Sequence, residues 1–192
     1  MRAAVRCLAR GGIIAFPTET TYGLGCDPRK AASVRRLFRI KGRPEKKPVL
    51  LTASSLADVR KVAEISPAVR KVASRYWPGA LTLVLPKKNG VRLPPAVAPQ
   101  GEVAIRVSSS TFVQKLVHAY RFPVIATSAN RSGKPPATSA RTIVRVFLRE
   151  ADAPDVVVDA GALPRRRPST IARVHDTGRV EILRQGSVRV KI

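Results

Sequence analysis

Acidic side chains are scarce. Twelve Asp and Glu stand against 36 Lys and Arg, so the 192-residue chain carries a formal net charge of +24. That imbalance goes far beyond what solubility requires and fits either a polyanionic partner or an arginine-rich composition with no dedicated target. Cysteine and histidine each occur twice. Cys7 and Cys26 are too few for a disulfide framework and lie outside any CxxC or Cys/His spacing, which suggests a reducing, cytoplasmic setting. His118 falls among apolar neighbours in a helical pattern and His175 in a strand-like one, so both fit structural roles better than catalytic ones. No GxxxxGK[ST], HExxH or GxSxG motif is present, which disfavours nucleophilic triads and metal-assisted hydrolysis. No apolar run approaches the roughly 20 residues of a membrane span, and the start "MRAAVRCLARGGIIAF" lacks the run of a signal peptide. No membrane association is expected.

What is present is a foldable chain, with 44% hydrophobic and 25% charged residues. Its positive charge is spread along the chain rather than gathered in a tail, and neither an internal repeat nor a low-complexity linker interrupts it. One domain over residues 1–192 is expected. "AAVRCLAR" reads as a helix stopped by Gly11 and Gly12, and "IIAF" as a buried strand. "PTETTYGLGCDP" has loop composition. In "AASVRRLFRI", Val34, Leu37 and Phe38 share one helical face while Arg35, Arg36 and Arg39 take the other. Further on, "SSLADVRKVAEI" and "SPAVRKVASRYW" read as helices with serine N-caps, the second with Pro67 at its first position. "TFVQKLVHAY" and "ARTIVRVFLRE" are helical, whereas "PVLLTA", "ALTLVLP", "EVAIRVS", "PVIATS", "DVVVDAG", "STIARVH" and "RVEILRQ" are strands. The pattern predicts an α/β (α+β) domain around an open, twisted, mixed sheet flanked by helices.

The stretch "IKGRPEKKPVLL" concentrates Lys41, Arg43, Lys46 and Lys47 at the mouth of a strand. Pro44 biases Arg43 toward extended backbone, so Lys41 and Arg43 could leave the loop on one side. Such a pair is either a solvated basic turn or a clamp for a triphosphate, a compact point charge beside a two-toothed grip. "TSANRSG" follows the strand "PVIA". Its Ser128 and Asn130 share a face if the strand runs through them, and otherwise close a plain turn at Gly133. "PTETTYGLG" is equally open between an ordinary loop and a set of N–H groups and hydroxyls for a small ligand. Asp152, Asp155 and Asp159 border a strand without a second cluster to complete a metal cage, so Mg2+ is expected to arrive on nucleotide phosphates. Trp77 fits a core anchor better than a stacking platform.

Taken in order, "PTETTYGLGCDP", "RLFRIKGRPEKKPVLL", "YWPGALTLVLP", "VAIRVS", "PVIATSANRSGKPPAT" and "STI…EILRQGSV" resemble the YrdC-like family, the threonylcarbamoyl-AMP synthases, over most of the chain. The resemblance implies an open α/β fold with a concave basic surface. It also implies a nucleotidyl transfer joining L-threonine, bicarbonate and ATP, whose product serves threonylcarbamoyladenosine modification of tRNA beside the anticodon. By motif, Lys41 and Arg43 match the family's catalytic, ATP-gripping KxR pair. Ser128 and Asn130 match its nucleotide-contacting SxN pair, and Arg184 an arginine near the phosphates. Thr18, Thr20, Arg106 and Ser169 fall at the threonine-binding positions. The terminal motif departs by Gln185 where proline is usual, and Thr52 stands where longer members often have histidine. The chain resembles the short form, which hands its product to partner proteins of the transfer machinery, with tRNA or RNA contact expected through the basic surface. Two other readings of the resemblance are an RNA-binding relative without synthase activity and the carbamoyl-transfer module of much longer hydrogenase-maturation proteins.

Overall fold

Residues 1–45, 47–147, 152–164 and 166–191 are described by the computed structural model. Lys46, Arg165 and the last three residues of the helix expected over 140–150 lie outside the described residues. The chain opens with α1 (Arg2–Ala9), which turns Ala4 and Leu8 inward, and continues into β1 (Ile14–Pro17). Both faces of β1 are covered. Ile13 and Ala15 enter the main core, and Ile14 and Phe16 enter a second one shared with α1 and α5 (Thr111–Tyr120). A strand covered twice needs apolar side chains at every position, which is why "IIAF" runs without alternation.

The segment "PTETTYGLGCDP" is not wholly loop. Its centre is β2 (Tyr22–Gly25), buried along its length and paired antiparallel with β1. Its glycines permit close packing: a Cβ on Gly25 would lie 2.2 Å from the Ile125 carbonyl oxygen. Gly25→Ala is therefore expected to destabilise the protein by about 1–3 kcal/mol, read from chemical denaturation, because backbone must shift to admit one methyl group.

Helix α2 (Ala31–Lys41) buries Val34, Leu37, Phe38 and Ile40 and stops at Gly42, whose φ of 55° lies in the left-handed region that glycine tolerates. On its outer side Arg36 pairs with Asp155 at 2.6 Å and Arg39 with Asp152 at 3.1 Å. Those carboxylates are thus engaged in tying α2 to the segment before β8 (Val156–Val157). Helix α3 (Leu56–Val59) is much shorter than the pattern in "SSLADVRKVAEI" predicts. Ser55 caps it, and the chain then turns to pair Ala63 with Lys87 in an isolated bridge. Helix α4 (Pro67–Tyr76) begins as expected, with the Ser66 side chain accepting from Val69 N–H. Trp77 donates from Nε1 to the Leu81 carbonyl at 2.6 Å, which makes it an anchor of the turn into β4 (Leu81–Pro86).

The mixed sheet expected from the sequence is divided in two. One sheet has six strands in the order β10 (Val180–Arg184), β9 (Thr170–Val174), β4, β5 (Glu102–Val107), β3 (Leu50–Ala53) and β6 (Val124–Ile125). The other has four, β7 (Thr127–Ser128), β2, β1 and β8. Parallel and antiparallel pairs occur in both. The strand expected at "PVIATS" is two strands. Val124 and Ile125 edge the six-stranded sheet, Thr127 and Ser128 edge the four-stranded one, and Ala126 lies between them. Helix α6 (Ala140–Phe147) buries Ile143 and Phe147 in the main core.

Candidate active site

The crossing at Ala126 leaves a cavity of about 630 Å³ between the sheets. Its floor comes from the six-stranded sheet. Leu50 and Ala104 stand opposite one another on β3 and β5, Val84 faces Ala104 from β4, and Arg106 lies two residues beyond Ala104 on the same strand face. Facing them are Thr18, Thr20 and Thr21 of the β1–β2 connection, Tyr22 and Gly23 of β2, and Ala126 to Ser128, while Arg43, Arg166, Ser169, Leu183 and Arg184 complete the wall.

The two motifs singled out in the sequence meet here, though Lys41 does so from an unexpected position. Instead of leaving the loop beside Arg43, it is the last residue of α2 and only 2% exposed. Its Nζ donates to the Ser128 carbonyl, to the Asn130 carbonyl at 3.0 Å and to Asn130 Oδ1 at 3.1 Å. Those acceptors match the three N–H groups of an ammonium. Arg43, turned away by Gly42, lines the cavity, with Nε and one terminal nitrogen donating to the Lys47 and Pro48 carbonyls at 3.0 and 2.8 Å. The strand does not continue to Asn130; Ser128 reaches it by donating from Oγ to Oδ1 at 2.6 Å. Ser128 lines the cavity and Asn130 stands behind it.

Thr18 Oγ1 donates to the Thr21 carbonyl at 2.6 Å and accepts from Thr20 and Thr21 N–H, so this hydroxyl builds its own loop. Thr20 contributes to the wall beside it. Ser169 is 4% exposed and shares a 2.9 Å hydrogen bond with Thr82. Arg184 donates to the Ser169 carbonyl at 2.9 Å. Gln185, standing at the usual proline position, donates from Nε2 to the Val188 carbonyl at 2.8 Å and so closes the turn by a side-chain bond where a ring would restrain it. Gly186 is needed there, since a Cβ would fall 2.3 Å from the Pro168 carbonyl oxygen. Two contributors were missed in the sequence. Arg166 was legible as part of the arginine triplet before "PST". Glu19, inside "PTET", stands behind the lining beside Arg106 and carries no sequence signal of that contact.

The cations strain against one another. Burial, and then the Arg43 charge, push the Lys41 ammonium down to about 7. Arg43 is lowered by burial and by Arg184, and Arg184 by burial and by Arg106. Arg106 is lowered by its own burial, with Glu19 opposing. Such crowding of like charge in a cleft favours entry of an anion that can touch several of them at once. The donors are already fixed by carbonyls and strand ends, so little reorganisation is needed when it arrives.

Fold and cavity together define a mixed α/β protein whose cleft is walled by several cations. The family model Sua5_yciO_yrdC, described as telomere recombination, matches residues 6–186, and the chain belongs to this family. A threonylcarbamoyl-AMP synthase of Thiobacillus denitrificans is 42% identical, the match covering 85% of each chain. One from Pyrococcus abyssi is 37% identical over 84% of this chain and 46% of its own. Among solved structures, P. abyssi Sua5 complexed with L-threonine superposes with a TM-score of 0.86 at 34% identity, covering 96% of this chain and 53% of that one. The chain thus spans about half the length of the P. abyssi relatives. Escherichia coli YciO matches at a TM-score of 0.84 and 24% identity over 98% of this chain and 90% of its own, a likeness of fold.

Proposed function

We propose that the protein forms threonylcarbamoyl-AMP, pyrophosphate and water from L-threonine, bicarbonate and ATP. The observation that carries this reading is the junction of the Lys41–Arg43 and Ser128–Asn130 motifs on one cavity with Arg106, Arg184 and Ser169, in a chain 42% identical to a threonylcarbamoyl-AMP synthase. The threonine amine is carboxylated, a carbamate oxygen attacks the α-phosphorus of ATP, and pyrophosphate leaves. No side-chain nucleophile is required, so the protein's share is orientation and charge neutralisation. Arg43 and Arg184 receive the phosphates, and Ser128 contacts the nucleotide with Asn130 behind it fixing the hydroxyl. Lys41 holds that strand end in place. Arg106, with Thr20 and Ser169 nearby, receives the amino acid, its guanidinium suited to a carboxylate. Thr18 shapes the loop that carries Thr20.

Magnesium would enter on the nucleotide. The cavity offers it hydroxyls and cations, and among the described residues no group of three acidic, imidazole or thiol side chains is placed to hold a metal. The chain works as a single domain in the cytoplasm; no described helix is long and apolar enough to cross a membrane. Its product passes to proteins that transfer it to tRNA.

The test is a coupled assay with ATP, threonine and labelled bicarbonate. Pyrophosphate release that requires threonine and yields the labelled mixed anhydride is expected, and ATP consumption indifferent to threonine would refute the synthase. With a net charge of +24, tRNA affinity is also expected to fall steeply between 50 and 200 mM salt, by about 10³-fold if six phosphates are contacted. A flat response would detach the basic surface from nucleic acid.

A further inference from the structure

We infer that Glu19 is a positioning residue which holds Arg106 for the amino-acid substrate, an inference that rests on the proposed synthase reaction. Glu19 belongs to the β1–β2 connection of the four-stranded sheet, and Arg106 and Ser108 to the end of β5 and just beyond it. Glu19 Oε1 lies 3.0 Å from an Arg106 terminal nitrogen, and Oε2 accepts from Ser108 Oγ at 2.6 Å. Ser108 Oγ also accepts from Ser110 N–H at 3.1 Å, which leaves its single proton to Glu19 and fixes that hydroxyl's direction. The Glu19 side chain is 10% exposed and does not line the cavity, whereas Arg106 does. The carboxylate therefore acts through the guanidinium.

Arg106 needs such a partner. It is 5% exposed and faces the Arg184 charge, and an uncompensated buried cation is strongly destabilising. Glu19 meets it by charge at one terminal nitrogen, while Ser108 fixes the carboxylate through its other oxygen. Arg106 Nε and Glu19 Oε1 are both buried without a hydrogen-bond partner, so their contact is one of charge alone, and Oγ1 of Thr52, which stands opposite Arg106 in the β3–β5 register, is likewise unpartnered. Alternation puts Thr52 on the cavity face with Leu50, while Leu51 and Ala53 enter the core. Three neighbouring polar atoms are thus left with spare capacity beneath the cavity, and the Glu19 charge, its carboxylate fixed by Ser108, favours the guanidinium's present place over one nearer Arg184. Gripping it from behind aims it at a carboxylate.

The experiment uses the full chain and measures pyrophosphate release while threonine and ATP are varied separately. In E19Q, which keeps the shape and removes the charge, the KM for threonine should rise at least tenfold while the KM for ATP stays within twofold. E19D should recover part of the loss, and S108A should shift threonine in the same direction by less. Because Arg106 is buried, E19Q should lower the melting temperature in either case; a merely structural role would change both KM values together. Equal changes in both KM values, or none in either, overturn the inference, and if E19Q fails to fold, E19D and S108A carry the same comparison. If the wild type releases no threonine-dependent pyrophosphate, the synthase reading falls by itself, and calorimetric threonine binding to wild type and E19Q still reads the role of Glu19. Unchanged binding in E19Q, or no binding by the wild type, would then overturn it.

Discussion

Replacing Lys41 by methionine should reduce threonine-dependent pyrophosphate release by about 10²-fold, the loss that follows when a positioned group in a site shifts by about 1 Å. Methionine keeps much of the apolar stem that Lys41 buries at the end of α2, so the readout isolates the ammonium. What disappears is the clasp on the Ser128 carbonyl and on both oxygens of Asn130. Ser128 then loses its fixed place on the cavity wall. Leaving buried acceptors unpaired costs about 1–3 kcal/mol, so the variant should fold with a lowered melting temperature. Near-normal turnover would remove Lys41 from the site.

The same residue sets a pH dependence. Its ammonium is pushed down to about 7 from an ordinary value of 10.5, so between those limits the unfolded chain binds more protons than the folded one. Stability must then rise with pH across that window, and its contribution is lost as pH falls through the folded value. The difference in unfolding free energy between wild type and Lys41→Met should change in favour of the wild type from pH 7 to 10. A constant difference would mean that Lys41 titrates normally. A triphosphate in the cavity works the other way by favouring the charged form, so saturating nucleotide should flatten the slope.

Arg184→Ala should lower kcat/KM for ATP by about 10²-fold or more, with threonine affinity far less affected. Arg184 lines the cavity at a backbone position set by the Gln185–Val188 turn and donates to the Ser169 carbonyl. It and Arg43 each depress the protonation of another cation in the cleft, which marks them as charges waiting for a shared anion. Arg43→Ala should act on the same substrate. The double variant should lose less than the sum of the two free-energy changes, because both act on one phosphate chain. Independent, additive losses would place the two arginines on different ligands.

Much of the architecture was legible because local chemistry and burial agreed. Ser66 with Pro67, and the serine pair before "LADV", mark helix starts that the fold uses. The inward faces of α2 and α6 follow helical spacing, and β4 and β5 follow their apolar runs. What stayed hidden depended on contacts distant in sequence. Tyr22–Gly25 looks like loop because its glycines answer to the approach of Ile125, a hundred residues away. "PVIATS" carries no mark of the break at Ala126, since both halves are extended and only their partners differ. Lys41 was readable as a functional cation but not as a buried one, because burial follows from carbonyls at residues 128 and 130. Glu19 could not be matched to Arg106 without knowing that the two sheets meet there.

The crossing at Ala126 has a mechanical side. One residue links the rims of both sheets, and its N–H is bound to the Leu50 carbonyl at 3.0 Å, so the two edge strands that border the cleft are set by one short stretch of chain. A bulkier side chain at Ala126 would therefore be felt at both rims at once, and so on both walls of the cleft.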